Sequence, residues 1–310
     1  MPRVVAKILP PDLMIEPRDR NIGFVRRETA DRKIWFITNL SAQEKRFRTR
    51  FPLSDWTPYL FDAMSGSVEP LRRFRQDIDS LQADLTLGPW DSVFVVFRPG
   101  PPLDGVIDSN ARRILDMSSG GKTVEAETDQ NGVLYTRTQA GVVKAEVTGI
   151  PAPLVLDGPW KLRANGVERQ IESLVSWTRI PGLHNFSGTG SYCTEFVLPA
   201  SFVSERSRIV LELGEVDNIA EVRVNGKAAG LAWKRPYEVD ITAATRAGVN
   251  TLEIRVTNLL INRMRVKQPS APDRPPAMSP QMLRDYLPEP VTSGLLGPVR
   301  VRVSRRVTLR

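Results

Sequence analysis

Two acidic residues, Glu215 and Asp217, are the side chains whose type and spacing could hydrolyse a glycosidic bond. That reaction needs two carboxyl groups facing each other across a sugar, one as acid and one as base or nucleophile. In a turn leading into a strand, such residues can instead serve the backbone, Asp217 through an Asx-type hydrogen bond to neighbouring N–H groups. We therefore expect a structural role for this pair. Glu289, between Pro288 and Pro290, is an acid with no positioned partner.

The chain has one histidine, His184, and one cysteine, Cys193. A metal site built from several histidines is thus excluded, and a Ser-His-Asp or Cys-His site would have to use His184. The alternation around Cys193 predicts a small buried hydrophobe, not a nucleophile. The sequence contains neither a phosphate-binding Gly-x-x-x-x-Gly-Lys-Ser/Thr motif nor a Gly-x-Gly-x-x-Gly motif after a strand. We expect no catalytic residue, no metal and no cofactor.

Sugar binding is better supported by the residue types than hydrolysis is. An aromatic face can stack on the apolar face of a pyranose, while amides, carboxylates or arginine bind its hydroxyl groups. The alternative is structural, because a tryptophan can fill a core and Asn258 can cap a turn at a strand end. The candidate platforms are Trp177, Trp233 and Tyr237, and the candidate hydroxyl-binding residues are Asn185, Asn258, Asn262 and Arg263.

The elements that would position these residues are strands and tight turns. Between Ile219 and Asn225, apolar and polar residues alternate with a period of two, which predicts a strand with one buried face. Asn225-Gly226 then supplies the two positive-φ positions of a type I′ hairpin turn. Further strands are predicted in Trp233–Thr242 and Gly248–Asn258. A concave ligand site is therefore expected at a loop end, near 184–187, Trp233 and 258–263.

This strand and turn pattern resembles the galactose-binding-like jelly roll attached to many glycoside hydrolases. Its wider context resembles the C-terminal β-sandwich region of family 106, the α-L-rhamnosidase type. The segments that carry this narrower resemblance occur in the expected order: Ile22–Arg27 with Ile34–Asn39, Ser92–Phe97, Phe186–Thr189, and Ser293–Val299.

The resemblance implies an accessory role. In that family the catalytic carboxylates lie on a (β/α)₈ barrel N-terminal to these segments, and a barrel needs about 250 residues of alternating strand and helix. No such pattern is seen here, so we expect the C-terminal half of a rhamnosidase-like protein without its catalytic domain. It would act in carbohydrate binding or domain docking, with a rhamnose-containing glycan and a separately encoded barrel as partners. The alternatives are a complete small enzyme with an unrecognised site and a basic protein that binds polyanions.

Length and composition predict an all-β protein of two β-sandwich units, the second of them the jelly roll. At about 100–200 residues per domain, 310 residues favour two domains, and 25 prolines with 21 glycines favour sandwiches over helical bundles. We expect a post-barrel sandwich in 1–105, bridging strands in 106–150 and the jelly roll in 151–310. A linker is predicted over 99–109, and a proline-rich loop between Asn262 and Ser293, with a helical turn around 280–286.

Charge and hydropathy bear on partners and compartment. The net charge of +8 is spread over alternating strand positions, which predicts solvated strand faces, and it is not joined to aromatic platforms, so we expect no nucleic-acid partner. Examples are Arg46, Arg48 and Arg50, and Arg300 and Arg302 near the end of the chain. No apolar run approaches the roughly 18 residues of a membrane span, so no membrane partner is expected. The first residues lack the apolar region of a secretion signal. The compartment therefore stays open, although the resemblance implies parent enzymes that are periplasmic or secreted.

Overall fold

The structure is a computed structural model that describes residues 11–63, 66–100, 104–264 and 289–310. Strands dominate these ranges, which confirms the predicted all-β class. Helical structure in them consists of short turns: Ser119–Gly121, Trp177–Arg179, Ala200–Phe202, Thr242–Ala244 and Ile261–Met264. Within the described ranges, no helix is long and apolar enough to cross a membrane. The helical turn predicted around 280–286 lies outside the described residues.

The chain divides into two compact units: Met1–Ile150 with Ser304–Arg310, and Pro151–Val303. The strands of the first unit are β1 (Met14–Glu16), β2 (Ile22–Glu28), β3 (Lys33–Asn39), β4 (Lys45–Phe51), β5 (Trp56–Phe61), β6 (Val68–Pro70), β7 (Phe74–Gln76), β8 (Leu81–Leu87), β9 (Ser92–Pro99), β10 (Val106–Ser109), β11 (Arg113–Met117), β12 (Val124–Thr128), β13 (Gly132–Thr138) and β14 (Gly141–Val147).

Two sheets of the first unit share one apolar core. One sheet has the order β1-β4-β8-β7 and the other the order β2-β3-β9-β5-β6. Trp35, Phe51 and Phe97 meet in this core, with ring centroids 4.9–5.3 Å apart in edge-on geometry. Edge-on pairs place the positive edge of one ring on the negative face of another, which adds to the gain from burial. The alternating pattern of β8 and β4 supplies the facing residues.

The segment predicted as a linker over 99–109 contains a strand. Residues 106–109 form β10, which pairs with β13, and β13 pairs in turn with β14. The linker prediction was therefore wrong for these residues. It relied on the neighbouring prolines, but those end at Pro102, and the next residues have backbone N–H groups that a sheet can use.

The second unit holds the strands β15 (Leu154–Val155), β16 (Trp160–Ala164), β17 (Val167–Ile171), β18 (Thr189–Leu198), β19 (Ser207–Glu212), β20 (Glu215–Val216), β21 (Ile219–Val224), β22 (Lys227–Ala232), β23 (Glu238–Asp240), β24 (Gly248–Thr257), β25 (Leu295–Gly297) and the first residues of β26 (Arg300–Leu309). Its largest sheet has the order β17-β16-β18-β24-β21-β22. We call the solvent side of this sheet the outer face.

The hairpin predicted from the period of two is confirmed. Along β21, buried residues alternate with exposed ones, and Asn225 and Gly226 adopt φ of 52° and 76°. These positive φ values match a turn whose twist suits the flanking strands. Asn225 also binds outside the hairpin, since its side-chain Nδ2 donates to the side-chain Oδ1 of buried Asn250 at 2.8 Å.

Two sequence expectations about single side chains differ from the structure. Cys193 lies on the outer face and is partly exposed, because Tyr192 next to it takes the buried position on β18. The charged residues of β26 are not all exposed to solvent. Arg302 is 7% exposed, and its Nε donates to a carboxylate oxygen of Glu212 at 2.5 Å. A buried guanidinium needs such a partner to offset its lost hydration.

Candidate functional site

Several loops of the second unit meet at one end of the sandwich, where the sequence predicted a ligand site. The turn after β20 joins the segment before β25, because the backbone N–H of Asp217 donates to the carbonyl of Gly294 at 3.0 Å. The segment between β22 and β23 is fastened by the N–H of Leu213, which donates to the carbonyl of Tyr237 at 2.8 Å. These bonds hold Asp217 and Tyr237 on neighbouring loops. We call this the loop-end site.

Ser293 is the centre of the loop-end hydrogen-bond network. Its side chain is fully buried, and its backbone N–H donates to the hydroxyl of Ser176 at 3.0 Å. The amide of Asn258 donates to the Ser293 hydroxyl at 2.5 Å, and that hydroxyl is bonded to the carboxylate of Asp217. Buried polar groups of this kind are stable only when each has a partner. The chain Asn258–Ser293–Asp217 therefore orders the loops.

Asp217 is the half-buried acid of the loop-end site. Burial raises the pKa of its carboxyl group above the usual value, and the hydrogen bond from Ser293 partly offsets that rise. Burial likewise raises the pKa of Tyr237, with the positive charge of Arg235 opposing and the negative charge of Asp217 adding to the shift. The Asx-type bond predicted for Asp217 is replaced by its bond with Ser293. Glu215, in contrast, is exposed on β20, so the two acids have different surroundings.

Trp177 is a core residue, which corrects its prediction as a stacking platform. It is fully buried, with its ring 5.2 Å from that of Phe186 and stacked at 6.4 Å from that of Tyr192. Two glycines make room for it, because a Cβ on Gly190 or Gly294 would lie within 3 Å of the indole. A ring enclosed in this way has no free face for a sugar.

The predicted hydroxyl-binding role of Asn258 and Asn262 is also corrected, because both amides are used by the protein itself. Asn258 accepts from the N–H of Gly188 at 2.9 Å and donates to Ser293 and to the carbonyl of Phe186. Asn262, 1% exposed, bonds both the N–H and the carbonyl of Val291, at 3.0 and 2.7 Å. Amides with both ends occupied are positioning groups for the loops.

The remaining predicted residues stay accessible. Trp233 is 52% exposed and lies four residues before half-buried Tyr237 on the same connecting segment. Asn185 and Arg263 are exposed on the loops that Asn258 and Asn262 anchor. An exposed indole, a half-buried phenol and carboxylate, and flexible polar side chains are groups that can bind a sugar.

Sequence reasoning missed Ser293, the centre of the network, although Ser293-Gly294 belongs to one of the segments that carry the family resemblance. The signal was the pair of glycines, Gly294 and Gly297, which have φ of 95° and 69° and frame the short strand β25. Positive φ at both ends marks a backbone path that few other residues allow. Across the described part of the chain, no group of three or more His, Cys, Asp or Glu residues could hold a metal ion.

Comparisons with known proteins agree with this domain type. Residues 188–288 match the family described as glycosyl hydrolase 2 galactose-binding domain-like. A curated protein named "Putative beta-glucuronidase", from Formosa agariphila, is 32% identical over 57% of this chain. A rhamnosidase structure from Novosphingobium sp. PP1Y has a TM-score of 0.68 and 25% identity over 98% of this chain.

The chain spans only 18% of the Formosa protein and 26% of the rhamnosidase. The similarity to the rhamnosidase extends through both units, whereas the family match lies in the second unit alone. The second unit therefore contains a galactose-binding-like domain of the kind found in glycoside hydrolases.

Proposed function

We propose that this chain is the accessory, carbohydrate-binding part of an α-L-rhamnosidase-type glycoside hydrolase of family 106. The observation that carries the proposal is the exposed indole of Trp233, four residues before the half-buried Tyr237, with the half-buried Asp217 close enough to Tyr237 to raise its pKa. All three residues belong to the segment that matches a galactose-binding-like domain. The similarity to a rhamnosidase over 98% of the chain supports a rhamnose-containing glycan as the ligand.

In this proposal each accessible group has a chemical role. The ring of Trp233 stacks on the apolar face of the sugar, which in a deoxy sugar such as rhamnose includes a methyl group. The Asp217 carboxylate accepts hydrogen bonds from sugar hydroxyls, and the Tyr237 hydroxyl can donate or accept. Asp217 is hydrogen-bonded to Ser293, and Glu215, the other acid of this turn, is exposed. In this proposal bond cleavage belongs to a separate catalytic domain.

Replacing Trp233 with alanine should weaken saccharide binding by about 1–3 kcal/mol, the scale of losing one large apolar contact. The melting temperature should change little, because the ring is half exposed. Isothermal titration with L-rhamnose and with a rhamnose-terminated oligosaccharide measures the effect.

Trp90→Ala is the matched control for this experiment, since Trp90 is 62% exposed in the first unit. Binding by Trp90→Ala should equal that of the wild type. Equal binding by the wild type and Trp233→Ala, or no binding of either sugar by the wild type, would contradict the proposed site.

A second role, domain docking, is supported by an apolar stripe on the first unit. On the solvent side of the β2-β3-β9-β5-β6 sheet, the register aligns one apolar residue from each strand. Large exposed apolar patches on a sheet mark surfaces that bind another protein. The stripe consists of Val25, Phe36, Phe94, Phe61 and Val68.

The apolar stripe also borders a pocket for a side chain. This cavity of about 320 Å³ is lined by Ile34, Phe94 and Val96. Phe61 lines the cavity as well, with the guanidinium of Arg98 5.8 Å from its ring. A pocket of this kind accepts one large apolar side chain of a partner, the usual anchor of a protein interface. The proposed occupant is the surface of the separately encoded catalytic barrel.

Val25→Lys combined with Val68→Lys should weaken association with such a barrel by about tenfold or more, because two charges would be buried without partners. Both valines are partly exposed, at 47% and 45%, so the fold should tolerate the change. Co-expression with a barrel encoded by a neighbouring gene, followed by titration of the purified partners, tests this. Val133→Lys, at a position 60% exposed elsewhere in the first unit, is the control. Unchanged association of the double variant would count against docking through this face.

A further inference from the structure

We infer a second saccharide subsite on the outer face of the second unit, formed by Arg223, Glu253 and Glu195, that binds sugar units beyond the one stacked on Trp233. It rests on the proposed carbohydrate-binding function and extends it from a single sugar to an oligosaccharide. We call these three residues and their cavity the sheet subsite.

The strand register brings the residues of the sheet subsite together. On β21, Arg223 lies opposite Glu253 of β24, which lies opposite Cys193 of β18. One step along the same face, Glu195 lies opposite Thr251. Side chains directly opposite each other on one face have Cβ atoms about 4.5–5.5 Å apart. All five border one cavity of about 400 Å³, within the size range of small-molecule sites.

Among the described residues, the charged side chains of the sheet subsite have no ion-pair partner, whereas the next pair of charged residues along the same face forms an ion pair. Arg255 donates to the Glu221 carboxylate at 3.2 Å on the same face. In the part of the chain that the structure describes, the side chains of Arg223, Glu253 and Glu195 form neither ion pairs nor hydrogen bonds. Opposite charges facing each other across strands usually pair. One guanidinium and two carboxylates that line the cavity are therefore available to bind a ligand.

These groups fit the hydroxyls of a neutral sugar. A guanidinium offers several N–H donors in a fixed plane, and carboxylates accept from O–H groups, so together they can bind adjacent hydroxyls. On the adjacent strand β16 of the same face, Lys161 and Arg163 share the one carboxylate of Glu168. With Arg223, Glu195 and Glu253 this part of the face carries equal numbers of cations and carboxylates, which suits a neutral ligand. Burial and the nearby Glu253 carboxylate raise the pKa of the Cys193 thiol, so the floor of the cavity is uncharged.

The position of the sheet subsite indicates a chain ligand. Ala220 on β21 pairs with Ala232 on β22, and the two strands are antiparallel. Trp233, the residue after Ala232, therefore lies level with Ile219. Ile219 is four residues before Arg223 on β21. At about 3.3 Å per residue, the two levels are about 13 Å apart. One sugar ring cannot reach both Trp233 and Arg223. An oligosaccharide lying along β21 can.

Titration calorimetry of the full chain with L-rhamnose and with a neutral, rhamnose-terminated tetrasaccharide tests the subsite. The wild type should bind the tetrasaccharide at least tenfold more tightly than rhamnose. Arg223→Ala and Glu253→Gln should each remove most of that tenfold advantage and leave rhamnose affinity unchanged. Both positions are on the solvent side of the sheet, so the melting temperature should stay within a few degrees of the wild type.

Arg208→Ala is the matched control, because Arg208 lies on β19, in a different sheet of the second unit, and is ion-paired with Asp240 at 2.8 Å. It should retain the tenfold advantage. If Arg223→Ala and Glu253→Gln both retain it while Trp233→Ala loses binding, the sheet subsite is wrong and the loop-end site stands. If the wild type binds neither sugar, the proposed function is wrong, and the subsite with it.

Discussion

Gly214→Ala is expected to destabilise the second unit by about 2–5 kcal/mol, because it combines backbone strain with a clash. Gly214 has a φ of 65°, where a residue with a Cβ is disfavoured. A Cβ there would lie 2.3 Å from the carbonyl carbon of Gly297 and 2.6 Å from the nitrogen of Pro298. These are main-chain atoms, which cannot rotate away as a side chain can. The β20–β25 pairing would have to separate, and the Asp217 turn would lose its support.

Gly226→Ala is the matched control for this prediction. Gly226 has a similar φ of 76°, but a Cβ there would meet nothing within 4 Å. It should therefore cost only the conformational strain, about 1–2 kcal/mol. Urea unfolding followed by tryptophan fluorescence compares the two variants in the full chain. Equal losses of unfolding free energy would show that the approach to Gly297 contributes nothing.

Trp177→Ala is expected to lower the free energy of unfolding by about 3–5 kcal/mol, the cost of emptying a large buried aromatic site. The lost ring contacts Phe186 and Tyr192, and the glycines around it cannot fill the space because they have no side chains. The backbone N–H of Trp177 donates to the carbonyl of Ser293 at 2.9 Å, so the cavity also borders the loop-end network. We expect saccharide binding to be lost together with the fold.

Differential scanning calorimetry of Trp177→Ala beside Trp233→Ala separates the two tryptophans. The first should lose much of the unfolding enthalpy or melt far earlier, and the second should melt close to the wild type. Trp177→Phe keeps an aromatic ring in the site and should recover part of the stability. Near-identical melting of Trp177→Ala and the wild type would contradict the burial of this ring.

The strands of the second unit were predictable because the alternation of apolar and polar residues that indicates each strand lies within the strand itself. The alternation in β21 sets which residues are buried, and a register shift by one residue would expose all of them at once. The Asn225-Gly226 turn was equally readable, because two positive φ values limit which residues fit. In the first unit, the same reasoning failed at β10, because prolines near its start hid a strand whose partner, β13, is distant in sequence.

The candidate site was predictable only in part. The sequence indicated loops that do meet, 184–187 and 258–263, which the Ser187–Leu259 and Asn258–Phe186 hydrogen bonds join. The ligand-binding role of Trp233 and Tyr237 stays a prediction. The sequence could not separate Trp177 from Trp233, because burial depends on distant residues such as Gly190 and Gly294 packing over one ring and not the other. For the same reason it treated Asn262 as free, although Val291 occupies both ends of its amide.

By itself, then, the sequence determined the all-β class, the strands with a clear period of two and the turn at Asn225-Gly226, since each depends on neighbouring residues alone. Only the tertiary structure decided the partners of Ser293, the burial of Trp177 and the meeting of Arg223 with Glu253. These last two residues are 30 positions apart, and the strand pairing that joins them is a long-range choice. Such contacts form when the whole sheet assembles around its core, so no local pattern encodes them.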